Sequence, residues 1–181
     1  LQAMKLIKAL GANSIGTVSS QHKVEFLADL GFESWVREPS FDKQLKREKR
    51  TFDLVLDAIG GEVQTASFNA LNPMGRLVVF GAAEFTPGKN RPNYLKAALQ
   101  YLRRPKYDVM DMISDNRSVM AFNLIWLWDQ VELMKELLVD MMAVEITPPH
   151  VGHEFDFEEA HAAIDCLRSG KTIGKVVLLL D

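Results

Sequence analysis

The segment FDLVLDAIGGEVQTASFNALNPMGRLVVFGAA, residues 52–83, decides the fold. Its first ten residues form a nearly continuous apolar run closed by a double glycine. A parallel strand reads this way when helices cover both of its faces. A helical pattern over about residues 63–71 follows, then the turn NPMG, then a second apolar run, RLVVFGA, that again stops at a glycine. Strand, helix and strand at this spacing make a βαβ unit, joined by a right-handed crossover.

The same alternation extends both ways. Residues 1–10 carry Ala3, Ile7 and Leu10 as a helix stripe, with Met4 and Leu6 beside it, stopped by Gly11. SIGTV (14–18) is a short strand. The next helix, with Val24, Leu27 and Leu30 as its buried stripe, runs to Gly31, and ESWV (33–36) is a third extended piece. A helix over about residues 42–50 packs Phe41 and Leu45 inward. Its basic run KQLKREKR (43–50) has no interleaved aromatics and reads as a solvated face. Residues 84–117 are the least regular: a loop EFTPGKNRPN (84–93), a helix over 94–103 stopped by Pro105, and a short one near 109–113. SVMAFNLIWL (118–127) reads as a sixth strand. DQVELMKELLVDMM (129–142) opens with Asp129 and Glu132 at capping-box spacing and aligns Val131, Met134, Leu138 and Met141 on one face. The tail holds a short strand, a helix capped by Asp156 and Glu159 with Ala160, Ala163, Ile164 and Leu167 on its apolar side, a turn at Gly170 and a closing strand over 175–180. The pattern predicts an α/β, doubly wound fold with a parallel sheet.

The 181 residues are 48% hydrophobic and 25% charged with net charge -3, enough for one sizeable core or one domain with an appendage. That balance gives no reason to expect nucleic acid or anionic lipid as a partner. The single cysteine, Cys166, excludes an internal disulfide and a four-cysteine zinc site, and reads as a core or boundary residue. No stretch approaches the ~20 apolar residues of a membrane span and no signal peptide is visible; the cysteine usage fits a reducing compartment, and the expected compartment is cytoplasmic. Leu1 stands where a methionine would begin a chain, and the expectation is a piece of a longer protein.

Ligands of an open α/β sheet bind outside the carboxyl ends of its strands. Ser19 to Lys23, Asp57 to Gly61, Phe80 to Ala83, and Phe122 with Asn123 stand there. Their small residues leave room for an extended ligand, although glycine also ends strands without any ligand. An enzyme of this architecture that uses NAD places a carboxylate in the turn after the strand over 14–18. Here that turn is Ser19-Ser20 with Lys23 one helical turn on, and no carboxylate before Glu25. Hydroxyls and a cation suit a 2'-phosphate, which points to NADPH; a plain surface role for Lys23 stays open. SGKTIGK (169–175) lacks the spacing of a phosphate-binding loop, and His150, His153 and Glu154 have no further ligands near them, so no metal site is expected. No serine sits in a G-x-S-x-G elbow.

Taken in order, GTVSSQHKVEFLADLG, the segment over 52–83, NRSVMAFNL and FDFEEAHAAIDCLRSGKTIGKVVLLL resemble the medium-chain dehydrogenase/reductase superfamily, in its zinc-independent quinone oxidoreductase branch. The helical stretch before SVMAFNLIWL is similar to that of vesicle amine transport protein 1-like members. The resemblance implies that Ser20 and Lys23 hold the 2'-phosphate of NADPH. It implies that Ala58, Ile59 and Gly60 pass the adenine and ribose side, that Phe80 and Gly81 lie beside the pyrophosphate and nicotinamide ribose, and that Phe122, Asn123 and Lys175 approach the nicotinamide. Arg37 stands near the place of a phosphate-side tyrosine common in relatives.

Family members carry most of the substrate domain, the first Rossmann strand and its glycine-rich turn ahead of the point where this chain begins. The expectation is therefore an NADP(H)-binding domain over residues 1–146 lacking those parts, then a C-terminal segment of a GroES-like substrate domain over 147–181. In the family's strand order 3-2-1-4-5-6 the missing strand is the middle one. Each backbone hydrogen bond left unmade there costs roughly 1–3 kcal/mol, so the piece alone is not expected to be stable and active. The implied activity is hydride transfer from NADPH to a quinone or an activated C=C bond of a small-molecule substrate, without zinc and with the catalytic residue unknown. The alternative is an NADPH-binding member that works mainly through a membrane or a partner, with little turnover. A zinc alcohol dehydrogenase fits poorly. A homodimer through SVMAFNLIWL is implied, with Leu124, Trp126 and Trp128 as an apolar contact, unless the tryptophans cover the sheet or cleft instead.

Overall fold

The computed structural model describes residues 1–85 and 94–180. They form two compact units: residues 1–37 together with the chain from Lys135 onward, and Glu38–Met134.

The first unit opens with α1 (Gln2–Ala9), β1 (Ile15–Val18), α2 (Gln21–Asp29) and β2 (Glu33–Val36). β1 and β2 pair in parallel, from Ile15 opposite Glu33 to Val18 opposite Val36. Met4, rather than the Ala3–Ile7–Leu10 stripe, is what α1 buries: Met4 is 7% exposed and Leu10 66%. Its thioether lies against β1 where Gly16 has no side chain, 2.9 Å from the place of a Cβ. α2 stops at Gly31, φ +75°, where the Gly31 amide donates to Ala28 O at 2.8 Å and the Phe32 amide to Leu27 O at 2.9 Å. This bond pair is a Schellman stop. Leu27 is buried as expected, but Leu30, the cap residue, turns outward.

The second unit runs through α3 (Phe41–Glu48), β3 (Phe52–Asp57), α4 (Gly61–Asn69) and β4 (Leu71–Val79). α3 buries Phe41 and Leu45 and leaves its basic residues in solvent. Gln44 is buried with them and accepts the Glu38 amide at 3.0 Å. Arg47 donates to both Glu38 carboxylate oxygens, at 2.8 and 3.2 Å, and holds that carboxyl below its usual range. β3 and β4 are parallel, with Phe52 opposite Leu71 and Leu54 already opposite Arg76. The NPMG turn is thus a bulge within β4, and Met74 at its tip takes a φ of +67°. Leu71 and Leu77 are the deepest side chains of the chain as described, at 1% and 0% exposure. The expectation that both faces of β3 are covered is not met among the described residues: α4 packs on β3 and β4, with α3 against α4, while Leu54 and Leu56 are exposed.

A 3-10 turn, Ala83–Phe85, follows β4; the rest of the EFTPGKNRPN loop, 86–93, lies outside the described residues. Then come α5 (Tyr94–Leu102), α6 (Val109–Asp115) and β5 (Ser118–Ala121), which pairs in parallel with β4. β5 is shorter than SVMAFNLIWL suggested. Asn123 Oδ1 accepts the Ile125 amide at 3.0 Å and winds Leu124–Leu127 into a 3-10 turn that cannot continue the ladder.

α7 (Val131–Ala143) starts two residues past Asp129, and its apolar residues are not buried, contrary to the core face expected of them. The first unit is completed by β6 (Val151–Asp156), α8 (Ala160–Arg168) and β7 (Lys175–Leu179), with β6 and β7 parallel. Ala163 is buried, whereas Ile164 and Leu167 are exposed, and neither Asp156 nor Glu159 makes a side-chain capping bond.

The strands form three parallel ladders, β1-β2, β3-β4-β5 and β6-β7. The fold is α/β with parallel sheets and helical crossovers, as the sequence pattern predicts.

Candidate functional site

In the second unit the site is built on Asp57, which ends β3 nearly buried, at 3% exposure. Its Oδ1 accepts the Ile59 amide at 2.8 Å and its Oδ2 the Gly60 amide at 3.2 Å, fixing the turn that carries Ala58, Ile59 and Gly60. Gly60 has a φ of +91°, which its lack of a Cβ permits, and so delivers the chain into α4. The next strand end is stitched to this turn. The Phe80 amide donates to Asp57 O at 3.0 Å, Ala83 to Ala58 O at 3.0 Å and Glu84 to Ile59 O at 2.9 Å. Gly81 makes the approach possible, since a Cβ there would stand 3.0 Å from Ala58 O. The rings of Phe80 and Phe122 stack at 6.2 Å, both about half exposed, across the ends of β4 and β5. Asn123 follows at once, its carbonyl engaged with Ile125.

Two groups beside this turn were not found from the sequence. The Glu84 carboxylate lies over Gly61, which has no side chain to obstruct it. Tyr107 packs its ring on Phe68 of α4 at 4.9 Å, with its hydroxyl enclosed. Burial pushes that phenol above its ordinary pKa; the Gln64 amide draws it part of the way back, and the Asp57 charge adds to the rise. Gln64 lies close, yet no hydrogen bond of sound geometry reaches the hydroxyl among the described residues. Both contacts link positions far apart in the chain and leave no local signal.

In the first unit, Ser20 is the N-cap residue of α2, extended and making no side-chain capping bond. Lys23 sits one turn on. Its Nζ donates to Gly170 O at 2.7 Å, and the neighbouring His22 Nε2 lies 3.4 Å from Lys171 O. The turn after α8 therefore holds the first turn of α2. Ser169 shapes that turn, donating to Cys166 O at 2.6 Å and accepting the Lys171 amide at 3.1 Å. The Arg37 amide donates to Val18 O at 2.8 Å, continuing the β1-β2 ladder. Lys175 begins β7, exposed, with its amide on His150 O at 2.8 Å. Ser20 and Lys23 thus share one turn, and Ala58, Ile59, Gly60, Phe80, Gly81 and Phe122 share another set of strand ends. Among the described residues no group of three His, Cys, Asp or Glu is arranged to hold a metal, and no helix is long and apolar enough to cross a membrane.

A parallel α/β architecture with small residues and tight turns at the carboxyl ends of its strands defines a Rossmann-type protein. Residues 30–178 match the zinc-binding dehydrogenase family, to which the chain belongs, and within the medium-chain dehydrogenase/reductase superfamily it stands in the quinone oxidoreductase branch. The human synaptic vesicle membrane protein VAT-1 homolog is 28% identical over 141 residues, which cover 76% of this chain and 36% of that protein. Mouse prostaglandin reductase-3 is 26% identical over 98% of this chain and 48% of its own length. Among solved structures, the quinone oxidoreductase from Thermus thermophilus, described with its NADPH complex, superposes with a TM-score of 0.71 and 28% identity. The match covers 98% of this chain and 53% of that one. The chain thus spans between about a third and a half of these proteins.

Proposed function

We propose that the protein containing this chain is an oxidoreductase that transfers a hydride from NADPH to a quinone or an activated C=C bond, such as an enone, without zinc. The observation that carries the cofactor choice is the turn after β1. Ser20 offers a hydroxyl not used in capping, Lys23 offers an ammonium steadied by Gly170 O at 2.7 Å, and no carboxylate precedes Glu25. A 2'-phosphate is matched by such donors and would be repelled by the acid typical of NAD sites.

The remaining assignments rest on the resemblance to the family. Ala58, Ile59 and Gly60 would line the adenine and ribose side on a turn locked by Asp57. Phe80, Gly81, Phe122, Asn123 and Lys175 would line the nicotinamide side, where the stacked phenyl rings give a planar group an apolar platform. NADPH, when bound, supplies the hydride; these residues bind it, orient it and exclude water. We assign residues 1–146 to the nucleotide domain, 147–181 to the substrate domain, β5 to a homodimer contact and the cytoplasm as compartment. A second reading, an NADPH-binding protein that acts mainly at a membrane, draws support from the relatives named as synaptic vesicle membrane proteins.

The test is the NADPH/NADH affinity ratio of the full-length protein with and without Lys23→Ala. Loss of one charged hydrogen bond predicts a drop of roughly tenfold or more in the ratio. An unchanged ratio ends the phosphate assignment. NADPH binding with no consumption across a panel of quinones and enones would favour the second reading.

A further inference from the structure

The turn over residues 169–171 sits against the first turn of α2, which carries Lys23. Lys23 Nζ donates to Gly170 O at 2.7 Å, and His22 Nε2 lies 3.4 Å from Lys171 O. The same C-terminal segment is also held ahead of β6. Lys5 Nζ donates to Pro148 O at 3.0 Å, Gln2 Nε2 to Thr147 O at 3.3 Å, and the Phe26 and His150 rings meet at 5.0 Å. Contacts to α1 and α2 on both sides of β6 and α8 fix where the turn lies. Within it, Gly170 takes a φ of +69° and Ser169 Oγ accepts the Lys171 amide at 3.1 Å, so the backbone that carries Lys171 is set.

The charge in this corner is one-sided. Residues 1–24 contain no carboxylate and carry Lys5, Lys8 and Lys23; residues 166–180 contain none and carry Arg168, Lys171 and Lys175. One compact unit gathers both stretches, in a chain whose net charge is -3. Glu25 is the first carboxylate along α2. Such a bias favours an anionic ligand. An ammonium has three donors, so Gly170 O orients Lys23 and leaves it able to bond a phosphate oxygen. A phosphate monoester carries a charge of about -1.5 to -2 at neutral pH, more than one ammonium offsets. We propose that Lys171 supplies the second cation to the 2'-phosphate of NADPH, so that α2 and the turn after α8 hold it between them. The proposal rests on the NADPH reading and deepens it, making the segment assigned to the substrate domain a determinant of cofactor choice.

The experiment compares adenosine 2',5'-bisphosphate with adenosine 5'-phosphate as ligands of the full-length protein, which isolates the 2'-phosphate without hydride chemistry. Titration calorimetry reads both affinities. Lys171→Gln should weaken the bisphosphate about tenfold and leave the monophosphate at the parent value. Lys171→Arg should keep most of the bisphosphate affinity, because it keeps the charge. Lys171 is exposed, so the thermal midpoint should not move. Lys8→Gln removes a charge from the same stretch, but that ammonium lies over the Phe32 ring at 5.3 Å, so this variant should bind both ligands like the parent. If Lys171→Gln binds like the parent while Lys23→Ala loses the bisphosphate, the second cation is overturned and the NADPH reading stands. If neither variant discriminates between the ligands, both fall. An equal loss in Lys8→Gln also overturns the proposal, since a diffuse field would then hold the phosphate and not a contact.

Discussion

Gly81 and Tyr107 test the second unit's strand-end turn one side chain at a time. A Cβ at Gly81 would stand 3.0 Å from Ala58 O, 3.1 Å from its Cα and 3.2 Å from its Cβ. The neighbour is a turn tethered by Asp57, so it yields at a cost. Gly81→Val is expected to destabilise the protein by about 1–3 kcal/mol in urea unfolding and to weaken NADPH binding; a parent-like midpoint would show that the turn gives way easily. Tyr107→Phe should behave differently. The buried hydroxyl has no sound hydrogen bond among the described residues, so its removal at neutral pH should leave stability unchanged or slightly raised. An acid whose pKa rises on folding stabilises the folded state fully below its unfolded value, about 10 for tyrosine, and loses that contribution as pH climbs through the folded value. Thermal midpoints above pH 10 should therefore fall more steeply for the parent than for Tyr107→Phe. That Ser20 and Lys23 share one turn was legible in the sequence because it is a local feature of the chain. Tyr107 and Glu84 were not, because only the folded chain brings them to α4.

At the scale of elements, β4 is the middle strand of β3-β4-β5, and Leu77 on it is fully enclosed. Leu77→Ala should cost about 2–5 kcal/mol, the range for a core leucine whose surroundings cannot collapse. Chemical denaturation reads it directly, and a loss below about 1 kcal/mol would mean that the site relaxes around the smaller side chain. The βαβ alternation was readable because strand and helix periodicities are properties of neighbouring residues. Burial was less so. The apolar stripes of α1 and α7 show which side of a helix is greasy, but only packing decides that Met4 is covered and Leu138 is not. Strand length escaped for a related reason: SVMAFNLIWL has strand composition throughout, yet the Asn123 cap diverts its second half into a 3-10 turn.

At the scale of the whole molecule, the proposed homodimer rests on β5 as the terminal strand of its ladder. Met120 and Phe122 are about half exposed on it, and Trp126 and Trp128 just beyond are 80% and 75% exposed, so the tryptophans do not cover the sheet within the described residues. An open strand edge with apolar neighbours is a ready template for pairing with a second copy. The ladder fixes which amides are available for that. The Phe122 amide donates to Val79 O at 3.1 Å, so by the two-residue alternation of a strand those of Met120 and Ser118 also face β4, and those of Val119 and Ala121 face away. Ala121→Pro removes one outward amide without touching the bonds to β4, and an edge strand tolerates proline. In a two-fold dimer the bond is lost twice, which predicts a dissociation constant raised roughly thirtyfold. A dilution series of the full-length protein by sedimentation velocity measures it. Met120→Pro, by contrast, removes a bond within the ladder and should lower the thermal midpoint as well. If Ala121→Pro dimerises like the parent, edge pairing is excluded. Trp126→Ser with Trp128→Ser then asks whether the tryptophan patch alone joins the copies, because it would dissociate a side-chain interface and leave a backbone one in place.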